Sequence, residues 1–405
     1  MLHETPRTDI VAATRAATAR FVALRRRGPA FVAVDGPRVV VGALSALQVP
    51  GSWADVQHAA AVPAGFGVVG YLAYEAGTWV ERIATTGKPQ VPLGWFGRCD
   101  AVWSQTGGDS RWQGTDAAVA ELRRAGTEPL DELPPRGERP EWSSATDYQG
   151  AVAAALAAIR EGECYQVNLA REVRVRNPGD PVQVWLRLAR SNPSRRAMLL
   201  DTGALTIVSN SPELLLAARG RSLLSIPIKG TRPASAAPEA LLQNRKERAE
   251  LTMIVDLVRA DLGRVARPGT VRAGPRRVGR VGHLWHAMQR VYAELDDGRS
   301  AVDALSVLFP AGSVTGAPRI RATELIARHE RGPRGVYCGT MGWFGADGSA
   351  NWNVAIRTIT FLGPREEPDV AAMHFGSGIV WGSDPRRECI ETEWKARRLL
   401  AAVCA

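Results

Sequence analysis

AMLLDTGALTIVSNSPELLLAARGRSLLSIPIKGT, residues 197–231, decides how the chain folds. Four apolar runs, Ala197–Leu200, Leu205–Ser209, Glu213–Ala217 and Ser222–Ile228, are each of strand length. Between them, Asp201-Thr202-Gly203 and Ala218-Arg219-Gly220-Arg221 supply the Asp and Gly that tight hairpins use. The stretch predicts an antiparallel meander. Centring the second turn on Arg219-Gly220 makes residues whose numbers sum to about 439 face each other, so Glu213 lies opposite Ile226 and near Lys229. A carboxyl group and an amine then meet at one end of a hairpin, an acid beside a base or nucleophile. A surface ion pair is the plainer alternative.

Downstream, helices are expected at about Arg245–Val265, Val302–Leu308, Ala317–His329 and Asp384–Val403, with strands at Gly339–Phe344, Asn353–Thr360 and Val370–Phe375. Upstream, Thr146 is placed to cap a helix over Asp147–Arg160, Gly162 ends it, and Tyr165–Val175 alternates as a strand. Residues 127–145 shift to Pro, Glu, Arg and Gly and read as a linker between residues 1–126 and 146–405. The first region is mixed, with a helix at Ile10–Arg26, strands at Ala30–Val34 and Val39–Val41 around Asp35-Gly36, and a buried apolar segment at Gly67–Glu75. Runs of strands with segregated helices indicate α+β rather than a regular βαβ succession.

Composition narrows the function. The 405 residues carry 51 basic and 41 acidic side chains, a formal charge of +10, at 45% apolar content. No apolar stretch reaches the ~18 residues of a membrane span, and the N-terminus lacks a signal-like apolar core, so a soluble cytoplasmic protein is expected. Five scattered cysteines without a C-x-x-C pair exclude a disulfide framework and a structural zinc site. Arginine runs at 25–27 and 276–277 are not interleaved with aromatics, so no nucleic-acid partner is expected. Only four of the basic residues are lysines: Lys88, Lys229, Lys246 and Lys395. In so arginine-rich a chain, some retained lysines are expected where an amine able to lose its proton is useful, with chance retention the plainer alternative for any one of them.

Two further clusters stand out. Glu388 and Glu391 are i, i+3 on the last helix, Lys395 follows at i+4, and Glu250 sits on another helix. Oxygen-only donors from two helices suit Mg²⁺, with a surface salt bridge as the alternative. Gly312-Ser313-Val314-Thr315-Gly316-Ala317-Pro318 before a helix, and Gly376-Ser377-Gly378 after a strand, are candidate anion-binding turns, with Arg357 able to complete a carboxylate clamp.

Taken in order, these segments resemble the chorismate-utilising enzymes. The likeness runs through Cys164–Leu169, Ser211-Pro212-Glu213, Pro227–Thr231, Ala249-Glu250, Asp261–Arg264, Phe309–Pro318, Ile356-Arg357-Thr358, Gly376–Val380 and Glu388–Lys395. It implies large antiparallel sheets packed as a sandwich with surrounding helices. It also implies roles: Glu213 as general acid for departure of the chorismate C4 hydroxyl, and Glu250, Glu388 and Glu391 as holders of Mg²⁺ against the substrate carboxylate. Thr315, Tyr337, Arg357, Gly376, Gly378 and Lys395 would line the chorismate site, and His283 matches the family's active-site histidine.

Within the family, water-adding members place a lysine base where this chain has Gln166, which speaks against isochorismate or salicylate formation. Anthranilate-forming members carry alanine where Lys229 stands; aminodeoxychorismate-forming members carry lysine, a covalent nucleophile on the ring. The resemblance therefore implies amination of chorismate on the route to 4-aminobenzoate, with ammonia from a separate glutamine amidotransferase subunit. Anthranilate formation is the runner-up, and a catalytically silent chorismate- or glutaminase-binding subunit is the alternative of a different class.

Overall fold

The computed structural model describes residues 7–61, 65–233, 237–281 and 284–405. Among these, every ladder between named strands is antiparallel, and the strands form two sheets of eleven and ten. The architecture is the expected α+β sandwich. Strand alternation explains it. Phe31, Ala33, Val40, Met198, Leu200 and Ile207 of the first sheet pack against Val69, Tyr71, Trp95, Met341 and Trp343 of the second. Their sequence neighbours Val32, Val34, Val39, Val41, Leu199 and Val208 point the other way, under helices Arg7–Arg25 and Pro181–Ser191. The outer face of the second sheet is covered by helices Arg245–Gly263 and Ala301–Leu308.

Both sheets draw strands from either side of residues 127–145. Ala30–Asp35 pairs with Met198–Asp201, and Gly67–Leu72 pairs with Thr340–Gly345. The segment 127–145 runs along this shared body, with Gly137 bridged to Cys404 and Glu141–Trp142 paired to Gln166–Arg176.

Four local expectations change. Ser144, not Thr146, caps the helix Ala145–Arg160, its side chain accepting from Asp147 N. The hairpin after Glu213 turns on Gly220-Arg221, with Arg219 opposite Ser222; a bulge between Leu214 and Ala217 then puts Leu214, not Glu213, opposite Ile226. Gly220, at φ 53°, supplies the left-handed residue that this turn needs. Residues 353–360 are not one strand: Ala350–Val354 belongs to the second sheet and Thr358–Leu362 to the first. Gly376–Gly378 lies within the strand Val370–Ile379, opposite Ala170, Leu169 and Asn168, rather than in a loop after it.

Candidate active site

The site lies at a corner where chain passes between sheets. Thr206–Ser209 pairs with Thr358–Phe361 in the first sheet; Leu214–Ala218 pairs with Ala350–Asn353 in the second. The two strands cross together, and the corner between the pairings holds Asn210–Glu213 on one and 354–357 on the other. Asn210 N donates to the Arg357 carbonyl at 3.0 Å, and Ser211 Oγ donates to the Val354 carbonyl at 2.5 Å. Arg357 takes φ 52°, a left-handed conformation costly for any residue with a Cβ, which the tight crossing imposes.

A cavity of about 180 Å³ opens beside this corner. Of the residues singled out from the sequence, it is lined by Glu213, Lys229, Glu250, Tyr337, Arg357, Gly376, Gly378, Glu388, Glu391 and Lys395. Thr315 does not line it: the buried hydroxyl donates to the Ala311 carbonyl at 2.9 Å, and Gly316-Ala317 forms a short strand against Gln166-Val167. The expected anion-binding turn is thus occupied with its own backbone. His283 lies outside the described residues. His286, three positions on, lines the cavity instead.

Lys229 and Glu213 are coupled through one residue. Lys229 Nζ donates to the Ser313 carbonyl at 3.0 Å, and Ser313 Oγ donates to Glu213 Oε1 at 2.7 Å. Burial pushes the Glu213 carboxyl up to about 7, against the Ser313 hydrogen bond and the charge of Lys229. Burial likewise lowers the Lys229 amine from its ordinary range, against the pull of Glu250 and Glu213. Both shifts favour the neutral pair, a protonated acid beside a free amine.

Arg357 and Lys395 add positive charge to the lining. Arg357 Nη2 meets His286 Nε2 at 3.0 Å, and His286 Nδ1 meets the Gly230 carbonyl at 3.0 Å. A carbonyl only accepts, so Nδ1 carries the proton and Nε2 accepts from the guanidinium, which leaves the imidazole neutral. Burial lowers Arg357 to about 10, so it stays charged at neutral pH. Lys395 Nζ is held by the Gly376 carbonyl at 2.8 Å and Glu391 Oε1 at 2.7 Å. Glycine is required at 376: a Cβ there would come within 2.6 Å of the Leu169 carbonyl and 2.9 Å of Tyr337 Oη.

Sequence reasoning missed Ser313, His286, Asn168 and Glu247 as lining residues. None has a spacing signal, since each reaches the cavity through tertiary packing. Glu250 on the helix Arg245–Gly263 and Glu388 and Glu391 on Pro385–Val403 form an oxygen-only set that fits a hard divalent cation. Among the described residues there is no preformed group of three such donors, so substrate and water would complete the sphere.

A sequence profile described as chorismate binding enzyme matches residues 30–401. Anthranilate synthase component 1 of Thermococcus kodakarensis is 41% identical over 253 residues, 60% of this chain, and the match spans 57% of that protein's length. Aminodeoxychorismate synthase component 1 of Bacillus subtilis is 33% identical over 359 residues, covering 82% of this chain and 75% of that one. Among solved structures, anthranilate synthase component I from Streptococcus pneumoniae superposes with a TM-score of 0.76 at 25% identity, over 91% of this chain and 89% of that one. The isochorismate synthase MenF of Escherichia coli shares the fold, with a TM-score of 0.78 at 21% identity over 95% of this chain and 91% of that one.

Proposed function

Since this chain belongs to the chorismate-binding enzyme family, we propose that it aminates chorismate to 4-amino-4-deoxychorismate, as the component I of an aminodeoxychorismate synthase. The observation that carries the reading is that Ser313 bridges Lys229 and Glu213, its carbonyl on the amine and its hydroxyl on the carboxyl, at the wall of one cavity. Neutral Lys229 Nζ bonds to ring C2, the ring double bonds shift, and the C4–O bond breaks. The hydroxyl leaves as water with the proton of Glu213. Ammonia then bonds to C4, the double bonds shift back, Nζ departs from C2 as the neutral amine with the protons it brought, and the one proton shed by the new C4 ammonium restores Glu213. Arg357 and Lys395 hold the substrate carboxylates. Glu250, Glu388 and Glu391 would hold Mg²⁺, which when bound neutralises a carboxylate of the dianion.

Ammonia is expected from a separate glutaminase subunit, because burial pushes the Cys99, Cys164, Cys338 and Cys404 thiols up, the reverse of an activated thiol. Anthranilate formation is a second reading, favoured by the names of the Thermococcus and Streptococcus relatives. Mass spectrometry of products from chorismate, Mg²⁺ and ammonium separates the two. The expected product is aminodeoxychorismate, with a chorismate-derived adduct on the intact protein. Both should vanish in Lys229→Arg, which keeps the charge but offers no neutral amine. Wild-type output from Lys229→Arg, or anthranilate from the wild type, overturns the reading.

A further inference from the structure

One edge of the strand Gln166–Arg176 is shared among several partners. Gly316-Ala317 pairs with it at Val167 and Gln166, and Glu141-Trp142 at Arg174 and Val173. Between these two ladders an ion pair takes the place of a strand. Arg334 Nη2 donates to the Asn168 carbonyl at 2.7 Å, and Glu330 Oε1 accepts from Ala170 N at 2.8 Å, the donor and acceptor that a neighbouring backbone would present. Arg334 and Glu330 close on each other through Nη2 to Oε1 at 2.6 Å and Nε to Oε2 at 2.9 Å, with both side chains buried.

The other arm of the guanidinium reaches the catalytic wall. Arg334 Nη1 donates to the Val314 carbonyl at 2.8 Å, and Val314 and Asn168 both line the catalytic cavity. Val314 is held at its other end by its N–H, which donates to the Ala311 carbonyl at 3.2 Å. That N–H shares a planar peptide with the Ser313 carbonyl, the acceptor for Lys229. Fixing Val314 therefore fixes the direction of the Ser313 carbonyl and the point from which the Ser313 hydroxyl reaches Glu213. The guanidinium also lies 4.7 Å from the ring centroid of Tyr74 and 5.9 Å from that of Tyr337, whose ring stacks on His374. Its backbone is anchored from the first region of the chain: Glu75 accepts from Arg334 N at 2.7 Å and from Gly335 N at 3.1 Å. Only a planar fork serves here, because its donors leave in fixed, divergent directions toward two carbonyls and a carboxylate.

We propose that Arg334 is a positioning residue for the amination chemistry: it fixes the Ser313–Val314 peptide against the strand Gln166–Arg176, so that Ser313 meets Lys229 and Glu213 together, and Glu75 anchors it. This rests on the amination reading above. The test mixes the full chain with chorismate and Mg²⁺ without ammonia and follows the Lys229 adduct by intact mass, with circular dichroism confirming that each variant is folded. Arg334→Lys keeps the charge and loses the fork. Its adduct rate should fall about tenfold or more, since a misplacement of ~1 Å is enough to cost ~10²-fold. The half-saturating chorismate concentration should stay within about twofold, because Arg357 and Lys395 remain in the lining. The factor by which Ser313→Ala changes the adduct rate should shrink to within about twofold of unity in the Arg334→Lys background. If Arg334→Lys does not fold, Glu75→Gln carries both measurements, with the adduct rate down about threefold or more. An unchanged adduct rate overturns the proposal. So does a loss matched by an equal loss of chorismate affinity, which marks general damage. A Ser313→Ala factor that is above about two and equal in both backgrounds overturns it as well, because Arg334 then does not act through Ser313. If the wild type forms neither adduct nor aminated product, the amination reading itself fails, and this inference with it.

Discussion

Replacing Ser313 by alanine should speed formation of the lysine adduct near neutral pH, although it removes a hydrogen bond from the site. The reactive pair, neutral Lys229 with protonated Glu213, holds as many protons as the ion pair it competes with. Ser313 Oγ donates to Glu213 Oε1 at 2.7 Å and so favours the carboxylate, the unreactive form. A hydrogen bond to a charged acceptor contributes ~1.5–3 kcal/mol and one to a neutral acceptor about 1 kcal/mol. Losing the hydroxyl therefore disfavours the carboxylate by about 1 kcal/mol, just under one pKa unit, moving Glu213 from about 7 toward 8. The neutral pair gains about fivefold over the ion pair. Lys229 keeps its own contact, because the Ser313 carbonyl at 3.0 Å is backbone.

Well below pH 7 both groups are protonated, and the rate depends only on deprotonating Lys229 beside an already neutral Glu213. Wild type and Ser313→Ala should coincide there. Above it, the midpoint of the acid limb should move from about 7 to nearly 8, and the plateau should rise about fivefold. The assay mixes enzyme with chorismate and Mg²⁺ without ammonia, quenches at intervals, and reads adduct by intact mass across pH. A limb that stays at about 7, or a plateau that falls, refutes the coupling.

Metal dependence follows from charge: a dianion beside Glu250, Glu388 and Glu391 is repelled until a cation intervenes. Glu391→Gln should raise the Mg²⁺ concentration needed for half-maximal product formation, and excess EDTA should abolish turnover; full turnover in EDTA removes the metal from the scheme. His374 predicts an acid-sensitive fold. Its value is depressed from 6.5 to about 3, so its contribution to stability is complete above pH 6.5 and declines by about 1.4 kcal/mol for each pH unit below that until about 3. His374→Phe keeps a ring on Tyr337 and should flatten urea-unfolding stability against pH by one proton's worth; equal slopes would show that the imidazole is hydrated.

The sequence is most legible where one face of an element is buried. Alternation placed the strands near residues 30, 165 and 370, and Gly162 marked the end of the helix Ala145–Arg160, because burial and backbone geometry act locally there. It was least legible at the corner. Val354, Ile356, Thr358 and Thr360 repeat with a strand's period of two, and nothing in Asn353-Val354-Ala355-Ile356-Arg357 announces that the strand changes sheets. The hairpin register slipped because the turn sits one residue further on, at Gly220-Arg221, a shift that the bulge between Leu214 and Ala217 only partly offsets.

The sequence by itself determined the chemistry on offer: an amine among arginines, acidic residues spaced on one helix face, and glycines where a backbone must approach closely. Only the tertiary structure decided how those groups behave. Ser313 joins Glu213 to Lys229, His286 holds Arg357, and Thr315 turns back to its own chain, through contacts between residues 71 to 100 positions apart or through a local fold of the turn. The protonation of Glu213 and Lys229 also belongs to the tertiary level, because burial sets it, and burial is a property of everything packed around a residue rather than of the residue and its neighbours in sequence.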